Sequence, residues 1–149
     1  MSSGILVICE HEGGVFKKTA QELLGKATEL AAELGGPVNA AVVGSADGAA
    51  LGAYGAQTAY VASGDGLDSG ATGAQVRALQ AIVEAADPAV VLGPGMGRTE
   101  AAFELARDLA SRIEAPLLID ADGLNAHAGL LELLKARSAP TILTPHAGE

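Results

Sequence analysis

The sequence is poor in cysteine, aromatic residues and basic residues. Cys9 is the single cysteine, so no disulfide can form within the chain, and a reducing, cytoplasmic location fits this usage. Tryptophan is absent and only two Tyr and two Phe occur, so Ala, Val, Leu and Ile must build the core. Nine Lys and Arg against 18 Asp and Glu give a formal net charge of −9. This charge argues against nucleic acid or an anionic membrane as a partner.

Targeting and membrane signals are also lacking. No apolar run approaches the roughly 18 residues of a membrane helix, and the N-terminus has no basic region of the kind that begins a signal peptide. The three histidines and one cysteine show no zinc-ligand spacing. We therefore expect no membrane association and no metal site.

Short apolar runs alternate with segments of helical periodicity. Strand-like runs are ILVIC (5–9), VNAAVVG (38–44), TAYVAS (58–63), AVVLG (89–93), PLLIDA (116–121) and TILTP (141–145), and helical segments separate them. Strands that are apolar on both faces and separated by helices indicate a parallel sheet covered on both sides. We predict one α/β domain over residues 1–149. It is a three-layer, doubly wound, Rossmann-like parallel sheet of five to six strands, with ILVIC and AVVLG at its centre.

The first part of the chain resembles the N-terminal domain of the electron-transfer flavoprotein alpha subunit. The resemblance is carried by ILVICEHEGGVFKKTAQELLGKATELAAELGGPVNAAVVGS and by LGAYGAQTAYVAS, and it continues more weakly through ALQAIVEAADPAVVL. In that family the flavin is held mainly by a separate C-terminal domain. The resemblance therefore implies a fold and an interaction surface, and FAD is not expected here.

The second part resembles the NAD(P)H-hydrate dehydratases of the ribokinase-like fold. The segments VVLGPGMGRTE, PLLIDADGLNA and TILTPHAGE occur in that order. That family repairs hydrated NADH or NADPH by an ATP- or ADP-dependent dehydration. The resemblance implies that the glycine-rich loop and the TPHAGE loop help to form the nucleotide site. The family's GTGD-type loop, with its catalytic Asp, and its ATP-binding segment would follow this sequence, so we expect no catalytic residues within it.

The segment GPGMGRTE follows a strand and opens a helix. Glycines let the backbone approach a ligand, and a helix N-terminus offers unpaired N–H donors. Arg98 adds a positive charge. A tight strand-to-helix turn without a ligand is the alternative, because the segment does not satisfy GxGxxG. The candidate nucleotide-binding residues from this segment are Gly93, Gly95, Gly97 and Arg98.

Three further candidates, Asp120, Asn125 and His146, follow later strands. Asp120 and Asp122 are two residues apart at a strand end and would point the same way, which suits a water-bridged Mg²⁺ or a ribose. For Asp122 we favour the alternative that it caps the next helix. Asn125 either faces the same crevice or solvates the first helical turn. His146 either hydrogen-bonds a nucleotide or lies free on the surface.

Two other histidines complete the set. His11 is placed with Glu10 at the same sheet edge, and we expect both His11 and His127 to be solvated.

Two resemblances in one chain suggest an engineered chimera of residues 1–90 and residues 91–149. We expect a scaffold without catalysis that requires no cofactor and binds at most ADP, ATP, a nicotinamide nucleotide or an anion weakly. The alternatives are a truncated NAD(P)H-hydrate dehydratase, which is a lyase, and a flavoprotein-like interaction module. A homodimer through an exposed sheet edge or apolar patch is also expected. One natural family that covers both parts would argue against the chimera.

Overall fold

The computed structural model describes residues 2–68, 72–93, 99–120 and 122–145. Strands and helices alternate through most of this part of the chain. In chain order they are β1 (Ile5–Ile8), β2 (His11–Glu12), β3 (Val15–Phe16), α1 (Lys18–Leu34), β4 (Val38–Val43), a 3-10 helix (Gly48–Tyr54), β5 (Thr58–Ala62), α2 (Thr72–Ala86), β6 (Val90–Leu92), α3 (Glu100–Arg112), β7 (Leu117–Ile119), α4 (Asp122–Ala126), α5 (Leu131–Lys135) and β8 (Thr141–Leu143).

Six strands form one parallel sheet in the order β5-β4-β1-β6-β7-β8. Numbered along the chain, these six strands lie in the order 3-2-1-4-5-6, which is the order of the dinucleotide-binding doubly wound fold. The predicted α/β sheet is confirmed, as is the central position of β1 and β6. Both central strands are short apolar segments, as strands covered on both faces must be.

Alternate residues of β1 belong to two separate cores. Leu6 and Ile8 pack on one side with residues of α2 and α3. Ile5 and Val7 pack on the other side with α1 and the 3-10 helix. Because successive strand residues point to opposite faces, the run ILVI must be apolar throughout, and all four of its residues are buried. This arrangement makes the three layers.

A small antiparallel hairpin, β2–β3, interrupts the connection from β1 to α1 and was not predicted. His11 pairs with Phe16, and Glu12 pairs with Val15. The two loop residues, Gly13 and Gly14, both have positive φ, as a tight two-residue hairpin turn requires. The pattern is only two residues long on each side, which is too short for alternation to reveal.

The structure corrects the expectation for His127. Its side chain is buried, and its Nδ1 lies 2.8 Å from the carbonyl oxygen of Gly123. Helix α4, which is expected after Asp122, causes this burial, because it packs against α3 and His127 directly follows its last residue, Ala126. A five-residue helix carries too little periodicity for its sequence to show which side chains are buried.

The last strand, β8, forms one edge of the sheet and pairs with β7. Ile142 and Leu143 are exposed there. In the described ranges, no helix is both long enough and apolar enough to cross a membrane.

Candidate functional site

A cavity of about 550 Å³ opens at the carboxyl ends of β1 and β4. In the sheet, β4 and β5 lie on one side of β1, whereas β6, β7 and β8 lie on its other side. The strand order therefore reverses between β1 and β6, which flank the topological switch point. Open α/β sheets bind ligands beyond the strand ends at such a point. Strand ends, the hairpin, a loop and two helices line the cavity: Ile8, Cys9, Glu10, His11, Glu12, Gly13, Gly14, Ala41, Val43, Ser45, Leu67, Asp68, Gln75, Leu79, Thr99, Ala101, Ala102 and Leu105.

The β2–β3 hairpin forms one wall and is attached at two points. At its base, the Lys17 amide donates to the Glu10 carbonyl oxygen at 3.0 Å, and the two side chains approach to 3.7 Å. Further out, His11 Nε2 donates to the Val43 carbonyl oxygen at 2.8 Å, and Nδ1 accepts from the Gly14 amide at 3.3 Å. His11 was expected to be solvated, and this is wrong because the hairpin turns its ring onto the end of β4.

The loop that follows β5 forms the opposite wall. The Asp68 carboxylate accepts hydrogen bonds from the amide and from the hydroxyl of Ser45. These bonds lower the pKa of Asp68, with the hydroxyl bond the larger cause. Gln75, on α2, donates its side-chain amide to the Leu67 carbonyl oxygen at 2.9 Å. Both walls are therefore fixed to the end of β4 or to α2.

Gly44 allows the two walls to meet. Its φ is +106°, and a Cβ added there would lie 2.3 Å from an Asp68 carboxylate oxygen and 2.8 Å from His11 Nε2. A side chain at this position would push apart the groups that hold the loop and the hairpin. Only glycine fits both the backbone conformation and the space.

Burial sets the protonation of the two groups that begin the hairpin. Burial raises the pKa of Glu10 to about 7, Lys17 partly opposes this, and the charge of Asp122 adds to it. Burial also raises the pKa of Cys9 to about 12. The Cys9 thiol is protonated at neutral pH and donates to the Val7 carbonyl oxygen at 3.6 Å, so it is a poor nucleophile.

The N-terminus of α3 forms the remaining rim of the cavity. Thr99 caps the helix, and its hydroxyl accepts from the Ala102 amide at 3.1 Å. Among the described lining residues the charged groups are Glu10, Glu12 and Asp68, and none is Lys or Arg. An anionic group is therefore disfavoured inside the cavity and favoured at the α3 rim, where the helix dipole is positive.

The predicted nucleotide-binding residues divide into two groups. Gly95, Gly97, Arg98 and His146 lie outside the described residues. Gly93, Asp120 and Asn125 are described at the ends of β6 and β7 or in α4, and none of them lines the cavity.

Contacts account for two of the described candidates. A Cβ on Gly93 would lie 3.1 Å from Ile8, so close packing of β1 against β6 favours a small residue there. The Asn125 amide donates to Asp122, the first residue of α4, at 3.3 Å. This bond places Asn125 in the first helical turn, which was one of its two expected positions.

Most of the residues that line the cavity are not predicted from the sequence as site residues. The sequence places Glu10 and His11 at the correct edge, but it does not indicate Asp68 and Gln75 as part of a site. Their signal in the sequence is weak, because Asp68 meets Ser45 across 23 positions. Among the described side chains, no three His, Cys, Asp or Glu residues come together to hold a metal ion.

Comparison of the sequence with known protein families shows the family to which the chain belongs. Residues 5–143 match the family described as electron transfer flavoprotein domain. The chain belongs to this family. The match extends beyond the first part of the chain and continues through residue 93, where the two resemblances were expected to meet.

The second resemblance is also confirmed. The chain is similar to bifunctional NAD(P)H-hydrate repair enzymes. The one from Salinibacter ruber is 51% identical over 75 residues, which is 48% of this chain and 14% of that protein. The one from Thermofilum pendens is 52% identical over 60 residues, 40% of this chain and 12% of the relative. The one from Gloeobacter violaceus is 56% identical over 61 residues, 41% of this chain and 12% of the relative. The chain therefore matches only about an eighth of each relative's length.

Proposed function

We propose that the chain is a non-catalytic α/β scaffold that binds a nucleotide weakly at the carboxyl edge of its sheet. The observation that carries this proposal is the position of the cavity. It lies beside the switch point of a sheet with dinucleotide-binding strand order, and the N-terminus of α3 forms its rim. The protein needs no cofactor in this proposal, and ADP, ATP or a nicotinamide nucleotide are the candidate ligands.

The charges of the described residues suggest how such a ligand would lie. The carboxylates of Glu12 and Asp68 repel phosphate, so the uncharged base and ribose would occupy the cavity. The phosphates would extend to the α3 N-terminus, and Arg98, which directly precedes Thr99 in the sequence, is proposed to add a positive charge. FAD is not proposed, because the flavin of the resembling family is held mainly by another domain.

Titration with ADP, ATP and NADH at low salt, followed by calorimetry or by NMR shifts, tests this proposal. We expect dissociation constants in the range from high micromolar to millimolar. Arg98→Ala and Gly97→Trp should each weaken binding at least several-fold, because the first removes a positive charge and the second adds a bulky side chain in a glycine-rich segment. Arg112→Ala, at the opposite end of α3, is the matched control. Absence of binding at millimolar nucleotide, or equal affinity for all three variants, would contradict the proposal.

Dehydratase activity is the second candidate, and the similarity to NAD(P)H-hydrate repair enzymes favours it. The decisive assay incubates the protein with hydrated NADH and ATP or ADP and follows NADH absorbance. We expect no turnover above background, because no catalytic Asp loop is expected within residues 1–149. An acid/base group and oxyanion donors each contribute orders of magnitude to such a rate. A rate that disappears in Asp120→Ala or His146→Ala would instead establish a lyase.

An interaction module is the third candidate, favoured by membership of the electron transfer flavoprotein domain family and by the exposed apolar residues of β8.

The engineered origin is proposed on the change of resemblance alone. A chain from a single natural family would also give a family match that runs through residue 93. A natural protein that is similar to residues 1–149 from end to end would therefore overturn the engineered origin. The cytoplasmic location likewise rests on the single cysteine.

A further inference from the structure

The β2–β3 hairpin forms one wall of the cavity and is held at its base by Glu10 and Lys17. One Glu10 oxygen, Oε2, is buried and lacks a hydrogen-bond partner. The 3.7 Å gap to Lys17 Nζ is too long for a hydrogen bond. At the base of the hairpin, Glu10 is therefore a mostly buried carboxyl group, 19% exposed, whose Oε2 lacks the bonds that a carboxylate needs.

We propose that this hairpin is a pH-responsive flap over the cavity, closed while Glu10 is protonated and opened when Glu10 ionises. This inference concerns access to the cavity and does not depend on which ligand binds there.

Charged groups around Glu10 determine the direction of the response. Asp122, at the start of α4, repels an ionised Glu10, whereas Lys17, beside α1, attracts it. Burial raises the pKa of Glu10 by more than the attraction to Lys17 lowers it, because the pKa in the closed form is about 7 against 4.5 for the free group. A carboxyl group whose pKa is raised in one conformation favours that conformation below the free pKa. That preference is lost as the pH rises towards the raised value. Opening therefore increases with pH.

His11 holds the hairpin by contacts that do not involve Glu10. Its Nε2 donates to the Val43 carbonyl oxygen, and its Nδ1 accepts from the Gly14 amide. Changing Glu10 alone leaves both hydrogen bonds in place.

Hydrogen exchange of the Gly14 and Lys17 amides, corrected for intrinsic rates, measures opening. If opening returns the Glu10 pKa to 4.5, the open fraction rises roughly 27-fold from pH 5.5 to pH 8 and then levels off. Glu10→Gln should abolish the rise. Glu12→Gln, an exposed carboxyl in the same hairpin, should leave it intact. Amides of β1 and β4 report whether the whole domain opens instead.

Lys17→Met provides a second test. Loss of the ammonium group removes the attraction that keeps the hairpin closed when Glu10 is ionised. The increase of the open fraction with pH should therefore be larger than in the parent protein. The exposed Lys18→Met is the control and should not change it. Alkylation of Cys9 at pH 8 gives an independent readout, because Phe16 of the hairpin packs against the core cluster that contains this thiol. The parent protein should react at least several-fold faster than Glu10→Gln. Exchange that is independent of pH, or unchanged in Glu10→Gln, would overturn the proposal.

Discussion

Arg137 places its guanidinium group against the end of α3, with Nη1 2.9 Å from the carbonyl oxygen of Ile113. The same group donates to the carbonyl oxygens of Ala110 and Ala115 and to the hydroxyl of Thr141. One side chain after α5 thus satisfies the carbonyls that a helix end leaves free and joins them to β8. Burial lowers the pKa of Arg137, but its hydrogen bonds are made by the charged form.

Removal of this side chain should destabilise the domain strongly. Arg137→Ala leaves several partly buried carbonyls without donors, and we expect a loss of about 2–4 kcal/mol in the free energy of unfolding by urea. Arg137→Lys should recover only part of this, since an ammonium group cannot reproduce the planar fork. Arg112→Ala removes an exposed ion pair with Asp108 and should cost less than about 1 kcal/mol. Equal losses for Arg137→Ala and Arg112→Ala would show that the helix-end contacts are unimportant.

Two glycines should respond in opposite directions to replacement by alanine. Gly44→Ala forces a Cβ into Asp68 and His11 at a positive φ and should cost about 1–3 kcal/mol. Gly25 lies within α1, and a Cβ there meets no atom within 4 Å. Gly25→Ala should therefore stabilise the protein by about 0.5–1 kcal/mol. Thermal unfolding of the two variants gives the comparison, and a stabilised Gly44→Ala would contradict the close contact.

The burial of His127 can be tested directly. His127→Ala removes a ring that is 1% exposed and should cost about 2–4 kcal/mol through the cavity left behind. Lys135→Ala, an exposed change on α5, should cost less than about 0.5 kcal/mol. A loss of similar size in both variants would indicate that the ring is solvated after all.

Whole-chain stability should decline between pH 5 and pH 8 because of Glu10. Its pKa is raised in the folded state, so its contribution is complete below the unfolded pKa and is lost as the pH rises through about 7. The loss is at most about 3 kcal/mol. Chemical unfolding at several pH values measures it, with Glu10→Gln expected to flatten the profile and Glu12→Gln to leave it unchanged. A Glu10→Gln profile that falls as steeply as the parent's would remove Glu10 as the cause.

Self-association through the β8 edge is expected from its exposed Ile142 and Leu143. The net charge of −9 opposes it, so the average mass in sedimentation should rise with protein concentration and with salt. Ile142→Lys should prevent this rise. Leu34→Lys, at an exposed apolar position at the end of α1, is the control. A monomer at all concentrations, or equal effects of the two variants, would contradict a β8 contact.

Apolar patterning along the chain is enough to predict the sheet. ILVIC and AVVLG are apolar at every position, and only a strand covered on both faces needs that, so both were placed at the centre. Helical periodicity likewise predicts α1, α2 and α3, because in a long amphipathic segment the apolar pattern repeats over several turns. The same strand-end logic assigned Glu10 and His11 to the ligand edge.

Which residues meet at that edge depends on the folded arrangement of the loops and short elements. The β2–β3 hairpin and α4 are too short for any period to show, yet the hairpin turns His11 onto Val43 and α4 buries His127. Asp68 binds Ser45 across 23 positions, and Gly44 is required because His11 and Asp68 converge on it. Such contacts depend on how loops return to the strand ends, and neither periodicity nor composition encodes that geometry. A sequence pattern can therefore locate the layer that a residue occupies, whereas the partner that fixes its chemistry is set by the fold.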